Sequence, residues 1–195
     1  MQPALLEAIQ QRYACREFVA GQSVSAGEQA LLLEAGRLAP SAFGLEPWRF
    51  ITVTDEAERA AIAHACYDQP AAATAAAFIA IVALVDVLDP DSDYVRARFE
   101  AEARGQNTAP IYESYRAFHR AEGVAAWARG QCNFAAAHLL LQAAHLGLGS
   151  CPIGGFDEAA LTTALNIPPG ESLVLVIALG HCAHAAPQRM RKACD

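Results

Sequence analysis

A chain of 195 residues that is 54% hydrophobic and 18% charged can bury a core of ordinary domain size, which excludes a disordered tail or linker. Its net charge of −7 argues against a nucleic-acid partner. No uninterrupted apolar run reaches membrane-spanning length. The nearest, residues 71–85, follows Pro70 and reads as a buried strand with a helical lead-in.

In chain order, the first residues lack the basic-then-apolar order of a secretory signal, so a cytoplasmic location is expected. Pro3–Tyr13 reads as a helix with Leu5, Leu6 and Ile9 on one face. Ser25–Ala39 reads as a second, with Ser25 as N-cap and Glu28 completing a capping box. Trp48–Thr54 is β-rich and reads as a strand, and Asp55 then caps a helix to about Cys66. Phe78–Val85 is an apolar strand. Ser92–His119 is charged and helical, with an interruption near Gly105–Pro110. Gly123–Leu146 is a long helix, apolar almost all round, which must be buried in the domain or at a subunit interface. Gly147–Phe156 reads as a loop, in which Pro152 cannot fill a central ladder position. Asp157 caps a short helix to Leu165, Ser172–Gly180 is a third buried strand, and the tail from His181 is irregular. Long helices with few strands make the fold class α+β, and with no linker or repeat the expectation is one domain over 1–195.

Six cysteines, Cys15, Cys66, Cys132, Cys151, Cys182 and Cys194, are scattered without a CxxC pair and read as reduced thiols, several of them buried. The run His181-Cys182-Ala183-His184 matches no tetrahedral zinc spacing, so no metal is expected. There is no GxGxxG after a strand, no GxxxxGK[ST] and no GxSxG, which removes the common phosphate cradles and the hydrolase elbow.

Three features remain. Arg12 and Arg16 bracket Tyr13-Ala14-Cys15, and Arg189 and Arg191 flank Met190. Arginine forks grip phosphate oxygens in pairs, so two clusters on an acidic chain can serve one anion or can be four solvated surface residues. Leu38–Phe50 carries Ser41, whose hydroxyl and neighbouring amides can hydrogen-bond a ligand, and Phe43 and Trp48, which can pack on a ring or belong to the core. Gly154 and Gly155 leave backbone bare of side chains, open to a flat, polar-edged molecule.

Taken in order, Arg12-x-x-x-Arg16, Ala39-Pro40-Ser41-Ala42-Phe43-Gly44-Leu45-Glu46-Pro47-Trp48-Arg49-Phe50, the Gly147–Phe156 turn, the strand ending at Gly180 and the late Arg-x-Arg resemble the FMN-dependent nitroreductase family over roughly residues 3–192. The resemblance implies a central mixed or antiparallel sheet flanked by helices, a long central helix and an intertwined homodimer. It implies FMN as cofactor, NAD(P)H as co-substrate, and ping-pong electron transfer through flavin N5 to a nitroaromatic, quinone or similar acceptor. A flavin-binding protein without turnover is the alternative.

The site the resemblance implies runs from Arg12, Tyr13 and Ala14 to Arg16. Arg12 would meet the phosphate, and Arg16 the N1/O2 edge of the ring. Ser41 would come from the partner subunit. Pro152 and Ile153 would pack on one ring face, with the Gly154 amide near N5 and Gly155 beside it. Arg189 and Arg191 would close on the phosphate. Asp68 stands where relatives often have an Asn at the ring's polar edge. Many relatives carry serine at Ala14 or Cys15 and an acid at Gly154. The stretch Asp86–Gly123, which helps roof the acceptor site in the family, matches least.

Overall fold

The computed structural model describes residues 3–121 and 123–193. Cys194, included among the thiols above, lies outside them. The chain runs α1 (Ala4–Gln11), α2 (Ala26–Arg37), β1 (Trp48–Val53), α3 (Glu56–Ala65), α4 (Pro70–Ala73), β2 (Ala77–Leu84), α5 (Asp93–Ala103), α6 (Ala109–Ala121), α7 (Val124–His145), β3 (Gly149–Ile153), α8 (Glu158–Ala164) and β4 (Glu171–Gly180). No described helix is long and apolar enough to cross a membrane.

Local chemistry fixes the helix starts. Ser25 and Glu28 form the reciprocal capping box at α2. Asp55 accepts from the amides of Ala57 and Glu58 at α3, and Asp157 from that of Ala160 at α8. Ser92 does the same for Val95 at α5.

The four strands form one sheet in the order β1-β2-β4-β3, and every pair is antiparallel, so the sheet is not mixed. The central strands read as continuous apolar runs because each face has its own core. Ile79 and Ile81 of β2, with Ile177 and Leu179 of β4, pack toward the core that also holds Leu32 of α2 and Ala135 and Leu139 of α7. Phe78, Ala80 and Val82, with Val176 and Ala178, pack toward the core that holds Ile62 of α3 and Leu161 of α8.

Two expectations are corrected. Gly149–Ile153 is an edge strand rather than a loop. Pro152 is tolerated there because an edge strand needs ladder bonds on only one side. The cysteines are not all free: Cys15 and Cys182 form a disulfide, with Cα atoms 5.9 Å apart although the residues are 167 positions apart in sequence. Gly149 makes room for both sulfurs, since a Cβ there would collide with them. Cys66, Cys132 and Cys151 are free and buried. Among the described residues no three potential ligands cluster, and His184 meets Glu17 at 3.0 Å.

Burial pushes the Cys66 thiol up to about 11 and the Cys132 thiol and Tyr115 phenol up to about 12. Unfolding returns them to their ordinary values, 9.0 for thiols and 10.0 for phenol. As pH rises above about 9, the unfolded chain sheds these protons while the folded chain keeps them. Stability is therefore expected to fall with pH in that window. Urea unfolding at pH 8, 9 and 10 checks this, and Cys132→Ala should flatten the decline.

Candidate functional site

Residues 12–19 leave α1 and run between β3 and the C-terminal segment. Ala14 bridges Ser150 in parallel sense, and the Cys15 amide donates to the Ser150 carbonyl at 3.0 Å. On the other side Phe18 bridges Cys182, the Val19 amide donates to the His181 carbonyl at 2.8 Å, and the Ala183 amide to that of Glu17 at 3.0 Å. The Tyr13 hydroxyl donates to the His184 carbonyl at 2.7 Å. The disulfide adds a covalent tie to this seam.

The seam brings the early and late arginines together. Arg189 donates to the carbonyls of Gln10 (3.0 Å) and Arg12, which face the open C-terminal end of α1. Burial, then the charges of Arg189 and Arg191, push the Arg12 guanidinium below its ordinary value. Three like charges thus crowd together on a protein whose net charge is −7. Such a cluster is stabilised by an anion. A cavity of about 220 Å³ opens beside it, lined by Arg12, Tyr13, Gly147 and Ser150 among others. Ala14 itself is exposed.

Arg16 is exposed and lies within electrostatic reach of Cys151, where its charge partly offsets the upward push of burial on that thiol. Its neighbour Cys15 bonds Ser150, which sets Arg16 beside the strand that leads to Gly154. Along that strand Pro152 is exposed while Ile153 is buried in the second core, as alternation of side chains requires. Only Pro152 offers its side chain to a ligand. Gly154 and Gly155 are exposed, and a Cβ built on either meets nothing within 4 Å. The turn is open backbone.

Asp68 follows α3 and is exposed. Its carboxylate lies 3.3 Å from His64 on the outer side of α3. The neighbouring Gln69 reaches the turn, donating through Nε2 to the Gly155 carbonyl at 2.9 Å and to that of Cys66 at 2.9 Å. Sequence reasoning missed Gln69. Its place just before Pro70, which starts α4 at N1, was the available signal. Ser41 lies apart from the arginines, on a loop that packs against α5 and α7.

The arrangement fits a flat ring bearing a phosphate. A cationic cluster would take the phosphate, and bare backbone with one exposed proline would take the ring.

Residues 9–181 match the family described as the Nitroreductase family. A Staphylococcus saprophyticus protein provisionally named as an NAD(P)H nitroreductase is 33% identical over 176 residues, covering 85% of this chain and 80% of its own. A Helicobacter acinonychis protein named oxygen-insensitive NADPH nitroreductase is 27% identical over 192 residues, covering 94% and 90%. Among solved structures, a nitroreductase-like protein from Streptococcus mutans superposes with a TM-score of 0.86 at 22% identity, covering 96% of this chain and 93% of its own. One from Exiguobacterium sibiricum, determined in complex with FMN, superposes with a TM-score of 0.79 at 21% identity, covering 99% and 95%.

The crowded guanidiniums predict an anion effect without any cofactor. Inorganic phosphate should raise the Tm of the apoprotein more than chloride at matched ionic strength, and Arg191→Ala should reduce that gain. Differential scanning fluorimetry reads both.

Proposed function

The chain belongs to the nitroreductase family, and on that premise we propose that it is a homodimeric FMN oxidoreductase that moves electrons from NAD(P)H to a nitroaromatic, quinone or related organic acceptor. The observation that carries this reading is the crowding of Arg12, Arg189 and Arg191 on the same seam that sets Arg16 beside the strand entering the open Gly154–Gly155 turn. When bound, FMN would supply the redox chemistry, taking hydride from NAD(P)H at N5 and passing electrons on to the acceptor.

The chain's own residues bind and orient. Arg12, Arg189 and Arg191 neutralise the phosphate, with Tyr13 and Ala14 forming the backbone between the two early arginines. Arg16 sets a positive charge against the ring edge that becomes anionic on reduction, which favours the reduced form. Pro152 packs its ring on one face of the cofactor, and Ile153 contributes backbone there while its side chain stays in the core. The Gly154 amide is free to approach N5, and Gln69 fixes the turn through the Gly155 carbonyl. Asp68, whose carboxylate lies 3.3 Å from His64, would stand at the polar edge of the ring on the family resemblance. No side chain acts as nucleophile. The protein's part is positioning and electrostatics.

Assembly follows from an uncovered apolar face. Leu5 and Leu6 of α1, Leu31 of α2, Leu38 just beyond it and Phe134 of α7 are all exposed, Leu5 by 64% and Phe134 by 50%. A groove of about 460 Å³ runs between α1 and α7, lined by Leu5, Ala8, Ala35, His138 and Leu141 among others. A second copy would bury this face and bring its Ser41 to the site. Light scattering should give a dimer carrying two FMN. A flavin-loaded monomer would refute the assembly.

The purified protein should be yellow or become so with FMN, and acid release followed by chromatography should identify FMN rather than FAD. Anaerobic NADH or NADPH should bleach it. A protein that cannot bind FMN sinks the proposal, and one that binds but is bleached by neither nicotinamide is a flavin carrier. Arg191→Ala should weaken FMN binding by about 1.5–3 kcal/mol, the worth of a charge-assisted hydrogen bond, with the midpoint potential held. Arg16→Ala should lower the potential. Spectroelectrochemistry and FMN titration separate the two roles.

A further inference from the structure

The Ser41 loop is held in an improbable backbone conformation. Phe43 (φ 59°), Gly44 (φ 62°) and Glu46 (φ 42°) all lie in the left-handed region, two of them with a Cβ to accommodate. Such a stretch persists only where its surroundings over-determine it, and that pattern is typical of ligand contacts. Here the surroundings come from α5, in the stretch that matches the family least. Arg98 donates through Nε and Nη2 to the Gly44 carbonyl, at 3.0 and 2.8 Å, and pairs through Nη2 with the Glu46 carboxylate. The Tyr94 hydroxyl lies 2.7 Å from the Leu45 carbonyl and 3.0 Å from that of Glu46. From α7, Gln131 accepts from the Ala42 amide at 2.9 Å.

The constraint ends on Ser41. The Glu46 amide donates to Ser41 Oγ at 2.8 Å. That bond fixes the oxygen and occupies one lone pair, leaving the hydroxyl proton to be given away. A hydroxyl pinned in this way suits an anionic or hydroxylated ligand better than a free rotor, because less entropy is lost on binding.

We propose that Arg98 is a positioning residue for the cofactor site. It clamps the Ser41–Glu46 loop so that Ser41 presents its hydroxyl proton across the subunit interface to the ribityl-phosphate end of FMN. This inference rests on the reading of Ser41 as a contact to the partner's cofactor. It gives the divergent helical excursion a second task besides roofing the acceptor: setting how tightly the neighbouring subunit holds its cofactor. Lysine cannot replace Arg98, since one ammonium cannot make both bonds to the Gly44 carbonyl and also reach Glu46 in the same plane.

The test is a double-mutant cycle on FMN affinity, read by fluorescence quenching on the apoprotein, with the Tm of each variant measured alongside. Arg98→Ala should weaken FMN binding about tenfold and Ser41→Ala severalfold, and the double variant should be no weaker than Arg98→Ala alone. Arg98→Lys should fall in between. Arg116→Ala, which removes the Asp91 pair on the same excursion, should bind FMN as the parent does. If Arg98→Ala does not fold, Arg98→Lys and Tyr94→Phe carry the same cycle with Ser41→Ala. A merely structural Arg98 would lower Tm and leave FMN affinity unchanged, or its effect would add to that of Ser41→Ala. Either result overturns the proposal. Parent protein that binds FMN with no loss in Ser41→Ala overturns it too, while the functional reading stands. Parent protein that never binds FMN removes both.

Discussion

The site depends on one seam, where residues 12–19 lie between β3 and the segment after β4. Backbone hydrogen bonds on both sides hold it, from Cys15 to Ser150 and from Val19 and Glu17 to His181 and Ala183. None of the arginines is positioned by its own helix or strand. Arg12 sits past the end of α1, Arg16 within the seam, and Arg189 and Arg191 beyond the last strand. Two ends of the chain, each irregular alone, become a cation cluster because they share a border. The free energy to crowd three guanidiniums comes from the sheet and its two cores, which are complete without them. Sites commonly store unfavourable arrangements this way, paid for by packing elsewhere.

Much of the fold could be read from local signals. The capping box of Ser25 and Glu28, the caps at Asp55 and Asp157, and the apolar runs of β2 and β4 each depend on a few neighbouring residues. What could not be read depends on residues far apart. The strand Gly149–Ile153 has two features that argue against a strand, a glycine and a proline, and is one because β4 lies beside it. The bond between Cys15 and Cys182 joins positions without any spacing pattern. The four arginines were visible as residue types, but sequence left open whether they meet. Gln69 has no motif to mark it, because its role belongs to a contact with Gly155, while Asp68 beside it stands out only through the family resemblance. Ile153, placed on a ring face by the resemblance, sends its side chain into the second core, which only the strand's alternation reveals.

The helical excursion α5–α6 has its own logic. Its interior is aromatic: Phe99 and Tyr115 are fully buried, Phe43 of the Ser41 loop packs edge-on to Tyr115 at 5.2 Å, and the Tyr115 hydroxyl donates to the Leu88 carbonyl. Offset and edge-on rings fill space with defined angles, so the excursion carries a packed aromatic interior of its own. Its outer surface carries the exposed pairs Arg96–Asp93 and Arg116–Asp91, which are worth little to stability. The inner pair, Arg98 and Glu46, is about two-thirds covered and tied to backbone as well. The two kinds of pair are chemically alike and differ in what they hold.

Gly149 and Gly180 face each other across β3 and β4. A side chain at Gly149 would strike the sulfurs of Cys15 and Cys182, and one at Gly180 would meet the Phe18 ring at 2.9 Å. Both clashes are with the seam, and neither is with the sheet. An added methyl at either position would push on residues 15–18, and because Cys15 and Phe18 are buried in the second core, the disturbance would pass from the meeting of the chain ends into the packing around α3 and α8.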